Sequence, residues 1–158
     1  MSLEIRSARP EELERVNDLR RMVNRLHVQG RPDIFRPGFC EELQRRLYVL
    51  YDEEPMNVIV AANDGAICGF AIVSCVQRPE SVYNLARAFY HVEEIGVSEE
   101  CRRLGVASAL VDYMKRDARS RGLDRIELDV WAFNGGALEF YENAGFSTYR
   151  RFMELRLD

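Results

Sequence analysis

Val97-Ser98-Glu99-Glu100-Cys101-Arg102-Arg103-Leu104-Gly105-Val106-Ala107 stands between two apolar patterns of different period. Before it, Phe89 to Val97 reads as a strand. After it, Val106, Leu110, Val111 and Met114 fall on one face of a helix that Gly122 ends. A strand passing through a glycine-containing turn into a helix leaves several backbone N–H groups unpaired beside the positive end of the helix dipole, an arrangement suited to a diphosphate. Gly105 and Ala107 are small enough for phosphate oxygens to approach the main chain, and Arg102 and Arg103 offer charge-assisted hydrogen bonds. By these residues alone, a plain strand-to-helix turn with solvated arginines is an equal reading.

Working outward, Ile126, Leu128 and Val130 alternate with Glu127 and Asp129 as a further strand. Asn134 opens a short helix reaching Asn143, and Phe146 to Leu157 reads as a last strand. Toward the N-terminus, Asn57 to Ala62 and Ile67 to Val76 flank the turn Asn63-Asp64-Gly65 and form a hairpin. Leu3, Ile5 and Ser7 begin a short strand. Pro10, Glu11 and Glu12 open a helix carrying Leu13, Val16, Leu19, Val23 and Leu26, which Gly30-Arg31-Pro32-Asp33 breaks. Pro37-Gly38 precedes a second amphipathic helix with Phe39, Leu43, Leu47 and Leu50. The order β-α-α-β-β-β-α-β-α-β predicts a mixed α/β (α+β) sheet with one parallel crossover, in a single domain over residues 1–158.

Composition narrows the chemistry. A net charge of −4 with acidic residues interspersed among the arginines argues against a nucleic-acid partner. Cys40, Cys68, Cys75 and Cys101 are scattered without metal-ligand spacing, so no metal is expected. Met1 to Arg9 holds no apolar leader segment and no later run reaches membrane-spanning length, which points to a cytoplasmic protein with reduced thiols and no membrane partner.

The stretch Val97 to Ala107 resembles the acetyl-CoA-binding motif of the GNAT superfamily of N-acetyltransferases: Gln or Arg, two residues, Gly, one residue, then Gly or Ala, after a strand. Downstream, Asn134-Gly135-Gly136-Ala137-Leu138-Glu139-Phe140-Tyr141-Glu142-Asn143-Ala144-Gly145-Phe146 resembles that family's later motif of Asn, Ala, Phe-Tyr and Gly-Phe. The similarity is sharp from about Glu93 to Phe146. Glu99 departs from a frequent proline and Arg103 from a frequent glycine, and neither change removes a backbone donor.

The resemblance implies a GNAT-like fold that binds acetyl-CoA as co-substrate and passes its acetyl group to a primary amine, small-molecule or peptide, in a ternary complex. It implies that Ile95, Gly96 and Val97 pair with the pantetheine arm and that Arg102, Arg103, Leu104, Gly105, Val106, Ala107 and Ser108 hold the pyrophosphate. Asn134, Ala137 and Tyr141 would lie along the pantetheine and thioester, the thioester lying where two parallel strands splay apart. Tyr141 would be the general acid and the N–H of Val97 the oxyanion donor. Glu93 matches a carboxylate used as general base, with His91 the alternative. Simple alternation puts His91, Glu93, Ile95 and Val97 on one face and Glu94 on the other. The acceptor wall is expected from His27 to Phe39 and from Gln77 to Arg87, with Asp33, Glu80 and Tyr83 as amine contacts. Family members often pair as homodimers through their last strands. A non-catalytic CoA-binding or regulatory domain is the competing reading.

Overall fold

The protein is described here from a computed structural model covering residues 2–158, so that Met1, where the leader-segment reading begins, lies outside the described residues. Five strands form one sheet in the order β1 (Leu3–Ser7), β2 (Val58–Asn63), β3 (Ala66–Arg78), β4 (Arg87–Val97) and β5 (Ile126–Glu127). The first four pair antiparallel. The crossover through α3 (Val106–Ser120) lays β5 parallel to β4, as the strand-helix-strand pattern predicts. The β2–β3 hairpin turns on Asp64 and Gly65, both with positive φ (48° and 86°), the conformation a tight hairpin with right-handed twist requires.

Alternation along the central strands divides the core. Ile59, Ala61, Ala71, Val73, Tyr90 and Val92 face Val106, Leu110, Val111 and Met114 of α3. Val58, Val60, Ala62, Phe70 and Ile72 face Leu13, Val16 and Leu19 of α1 (Leu13–Gly30) and Leu47 of α2 (Glu41–Glu53). The sheet is thus a filling between two helical layers. A Cβ at position 96 would come within 2.7 Å of Val23 Cγ2 and 2.8 Å of Phe70 Cε1, so glycine there lets α1 lie directly against β4. The same contact is pinned by Arg20, which donates to both Glu94 carboxylate oxygens (2.8 and 3.0 Å), to Asn17 Oδ1 and to Leu43 O.

Five sequence expectations are corrected. The helix opened by Pro10 begins as one 3-10 turn, Pro10–Glu12, and the second helix starts at Glu41, which leaves Phe39 outside it. β5 is paired at Ile126 and Glu127 alone, because β4 and β5 diverge beyond the pairs Tyr90↔Ile126 and His91↔Glu127. Phe146 to Leu157 forms no strand: residues 147–158 are all exposed and find no neighbouring strand among the described residues. Simple alternation in β4 fails as well. Glu94 pairs with Ile72 and Val92 with Val73, so Glu93 is the extra residue of a β-bulge. Val92, Ile95 and Val97 consequently share the α3 face, and His91 points to the opposite one. No helix among the described residues is long and apolar enough to cross a membrane.

Candidate active site

Where β4 ends, Glu99–Cys101 makes a 3-10 turn, Arg103 takes a left-handed φ of 64° and Gly105 one of 80°. α3 then begins without a side-chain cap. Its first main-chain donation is Ala109 N to Gly105 O at 3.0 Å, so the N–H groups of Val106, Ala107 and Ser108 find no partner among the described residues. These groups border a cavity of about 320 Å3 lined by Val97, Cys101, Arg102, Arg103, Gly105, Val106, Ala107, Ser108 and Phe140. Arg102 and Arg103 stand exposed at its mouth. The cavity therefore combines free main-chain donors, a helix N-terminus and two guanidinium groups, all of which favour a phosphate-bearing ligand.

Seven of the residues singled out in the sequence border this cavity: Val97, Arg102, Arg103, Gly105, Val106, Ala107 and Ser108. Leu104 instead points outward and is 46% exposed. Ile95 and Gly96 stand one step back, on the part of β4 that β5 has already left. Asn134, Ala137 and Tyr141 are also outside the lining, where α4 (Gly135–Asn143) contributes Phe140. Asn134 caps that helix, its Oδ1 accepting from Ala137 N at 3.2 Å. Cys101 and Phe140 were missed. Their signals were the position of Cys101 inside the turn and the membership of Phe140 in the Phe-Tyr pair.

Tyr141 is 8% exposed and packs edge-on against Phe140 and Phe146 with ring centroids 5.3 and 5.5 Å away. Burial pushes its phenol up to about 12, so it keeps its proton throughout the neutral range. A second polar group sits at the fork between β4 and β5, on the last residue of the parallel pairing. Glu93 Oε1 accepts from Ser74 Oγ at 2.7 Å and lies 3.0 Å from His91 Nδ1, while His91 Nε2 is 3.8 Å from Asp129 Oδ2. Burial raises the Glu93 pKa, but the bonds from Ser74 and His91 outweigh it and hold the carboxyl below its ordinary value of 4.5. The Glu93 carboxyl is thus held ionised in the neutral range. An ionised carboxylate can only accept, so in the neutral imidazole the proton sits on His91 Nδ1 and the lone pair on Nε2.

Of the expected acceptor contacts, Asp33 is tied to Arg31, which also pairs with Glu154; the Arg31 hydrogen bond holds the Asp33 carboxyl down to about 2. Glu80 and Tyr83 stand exposed in the β3–β4 connection. His27 and Phe35 pack with Trp131 and Phe133, two aromatics after β5 that the sequence reading did not single out. The signal lost was long-range: a Cβ at Gly30 would lie 2.3 Å from the Phe133 ring, so the end of α1 and the segment after β5 meet through that glycine.

An antiparallel sheet carrying one parallel crossover, whose two strands fork after His91 and whose longer strand runs on to a helix N-terminus lined with free amides, defines an α/β protein with an anion-binding cradle past the fork. A family model described as "Acetyltransferase (GNAT) family" matches residues 21–146, and the chain belongs to that family. It is 39% identical over 61 residues to the N-terminal acetyltransferase B complex catalytic subunit of Schizosaccharomyces pombe, covering 39% of this chain and 34% of that protein. It is 28% identical over 95 residues to an L-ornithine N5-acetyltransferase of Arabidopsis thaliana, covering 60% of this chain and 40% of that protein. The matches therefore span well under two thirds of either relative. A mutant of the BH1408 protein from Bacillus halodurans superimposes with TM-score 0.90 at 27% identity, over 98% of this chain and 99% of that one. The aminoglycoside N-acetyltransferase AAC(6')-Iy, solved with a CoA-linked bisubstrate analogue, superimposes with TM-score 0.76 at 19% identity over 100% and 99% of the two chains and shares the fold.

Proposed function

We propose that the chain, over residues 1–158 as one domain, is an N-acetyltransferase that takes its acetyl group from acetyl-CoA and delivers it to a primary amine of a small molecule or peptide. The observation that carries this is the cradle, in which the unpaired N–H groups of Val106, Ala107 and Ser108 open onto the cavity beside Arg102 and Arg103. That donor set fits a pyrophosphate. Leu104 and Gly105 complete the turn, and Ile95, Gly96 and Val97 offer the main-chain edge that β5 vacates, a place for an extended amide-bearing arm. Asn134 and Ala137 at the start of α4, and Tyr141 within it, would border the same arm. Bound there, the thioester supplies an activated acetyl group.

The chain's own residues then divide the proton work. An alkylammonium acceptor titrates near 10 and must lose a proton before attack, while the departing thiolate needs one. Tyr141, protonated and without a hydrogen bond among the described residues, is the proposed donor. Glu93 and His91 act together as the base: Glu93 fixes the tautomer through Nδ1, and Nε2 accepts the proton. The N–H of Val97 is the proposed oxyanion donor. No metal takes part in this scheme, and a cytoplasmic setting suits its free thiols.

Release of CoA thiol from acetyl-CoA, followed across a panel of small amines and peptide N-termini, tests the reading. Turnover with at least one amine is expected; binding of CoA without turnover would mark a non-catalytic CoA-binding domain instead. The acidic limb of kcat/KM reports the base. With the imidazole accepting the proton, that limb disappears in His91→Gln. With Glu93 accepting it directly, the limb lies below 4.5, because the folded carboxyl is held below that value.

A further inference from the structure

The carboxylates around the fork and the end of α1 are paired, with one exception. Arg87 takes Glu127, Arg31 takes both Asp33 and Glu154, and Arg20 takes Glu94. Glu93 is held by Ser74 and His91. Asp129 meets no arginine or lysine among the described residues, and its side chain is 75% exposed. Its neighbour is His91 Nε2, 3.8 Å from Oδ2, which is too far for a hydrogen bond. In the neutral imidazole both of these atoms are acceptors. Two acceptors so spaced are satisfied by one donor with two N–H bonds placed between them, which a primary ammonium supplies. An ammonium held there rests against the nitrogen assigned to take its proton.

The surface beyond Asp129 is of another kind. Leu128 packs toward α3, so Glu127, Asp129 and Trp131 fall on the opposite face of the extended chain, the face that His91 shares. Trp131 stands one side-chain repeat past Asp129, about 7 Å along the chain. Its ring meets Phe35 edge-on at 5.0 Å between centroids and stacks with Phe133 at 6.1 Å and 27°. These rings are not closed into the core: Phe133 is 39% exposed. A free carboxylate is thus followed by a flat apolar panel.

We propose that Asp129, with His91 Nε2, holds the ammonium of the acceptor while Trp131, Phe133 and Phe35 take its tail, so that the preferred acceptors are monoamines carrying an aromatic ring a short chain away from the nitrogen. Ring-on-ring contact and apolar burial select the tail. A polyamine would bring further ammonium groups to a surface where no second carboxylate is free, and each would lose water without gaining a partner. Calling this ligand an acceptor rests on the acetyl-transfer reading; its binding does not, and can be measured without transfer.

Trp131 is the chain's single tryptophan, so its emission reports directly on the panel. The test titrates the full chain, with CoA in place of acetyl-CoA, with 2-phenylethylamine, and measures n-butylamine and 1,4-diaminobutane by competition; thiol release from acetyl-CoA then gives kcat/KM for the same three amines. A saturable change in Trp131 emission is expected, with 2-phenylethylamine favoured about 10-fold over the other two in both Kd and kcat/KM. Asp129→Asn should weaken 2-phenylethylamine binding by about 2-fold to 5-fold, the exposed pair being screened, with the CoA Kd unchanged. Phe133→Ala, and Phe133→Leu as a milder variant, should bring the ratio of kcat/KM for 2-phenylethylamine over n-butylamine toward one. A folding defect would instead lower both rates together and leave that ratio intact. Binding of 2-phenylethylamine without transfer to any amine would support the amine site and overturn the acetyl-transfer reading. Equal or tighter binding of 1,4-diaminobutane, a ring preference that survives both Phe133 variants in folded protein, an Asp129→Asn chain that binds as the unsubstituted one does, or no saturable response of Trp131 would each overturn the inference.

Discussion

The cradle at Arg102 to Ala107 and the polar cluster at the β4–β5 fork sit at the two ends of one stretch of strand, yet they are built differently. The cradle is made of main chain. Its donors are the N–H groups that any helix leaves free in its first turn, aimed by one left-handed glycine, so side-chain identity matters little beyond size. The fork cluster is made of side chains from three strands' worth of sequence: Ser74, His91 and Glu93, and Asp129. The bulge at Glu93 separates the face of this cluster from that of Ile95 and Val97, which pack toward α3. The first kind of site tolerates substitution at its surface and fails when its backbone is strained; the second fails when a single polar atom is removed.

That contrast ranks the expected effects. Tyr141→Phe removes the proposed proton donor and should lower kcat on the order of 100-fold to 10,000-fold, with the acetyl-CoA Kd unchanged, in steady-state kinetics paired with equilibrium binding. Glu94→Ala leaves the Arg20 guanidinium, 5% exposed, without its carboxylate; chemical denaturation should show a loss of about 2 to 3 kcal/mol, moderated by the partial exposure of Glu94. Gly105→Val forces a β-branched residue to a φ of 80° although space is free around it, and should weaken CoA binding by roughly 10-fold to 100-fold with no loss of core packing. Arg102→Ala should weaken it by about 10-fold or less, the exposed guanidinium being screened by water and salt. An Arg102→Ala defect larger than that of Gly105→Val would reverse the assignment of the cradle to main chain.

What could be read from the residues follows the same division. The turn, α3, the hairpin and the parallel crossover were legible because each has a local cause: a period of two changing to 3.6, a glycine needing positive φ, an Asp-Gly turn. The family motifs around Arg102 to Ala107 and Asn134 to Phe146 were legible for the same reason. The bulge at Glu93 was not, because it arises from the register between β3 and β4 and leaves no mark on composition. Nor was the packing of Trp131 and Phe133 on His27 and Phe35, which joins segments about a hundred residues apart. The last strand was over-read: Phe146 to Leu157 has strand composition, but a strand exists only with a neighbour, and β5 leaves its own after two residues.

Isothermal titration of the folded chain with acetyl-CoA and CoA tests the central claim most directly, because it asks whether the amides at the head of α3 grip a diphosphate. Saturable binding of both at one site per chain, weakened by Gly105→Val far more than by Leu104→Ala, is the predicted result. Absence of binding heat with either ligand over a range of temperatures, on protein shown to be folded, would contradict the account.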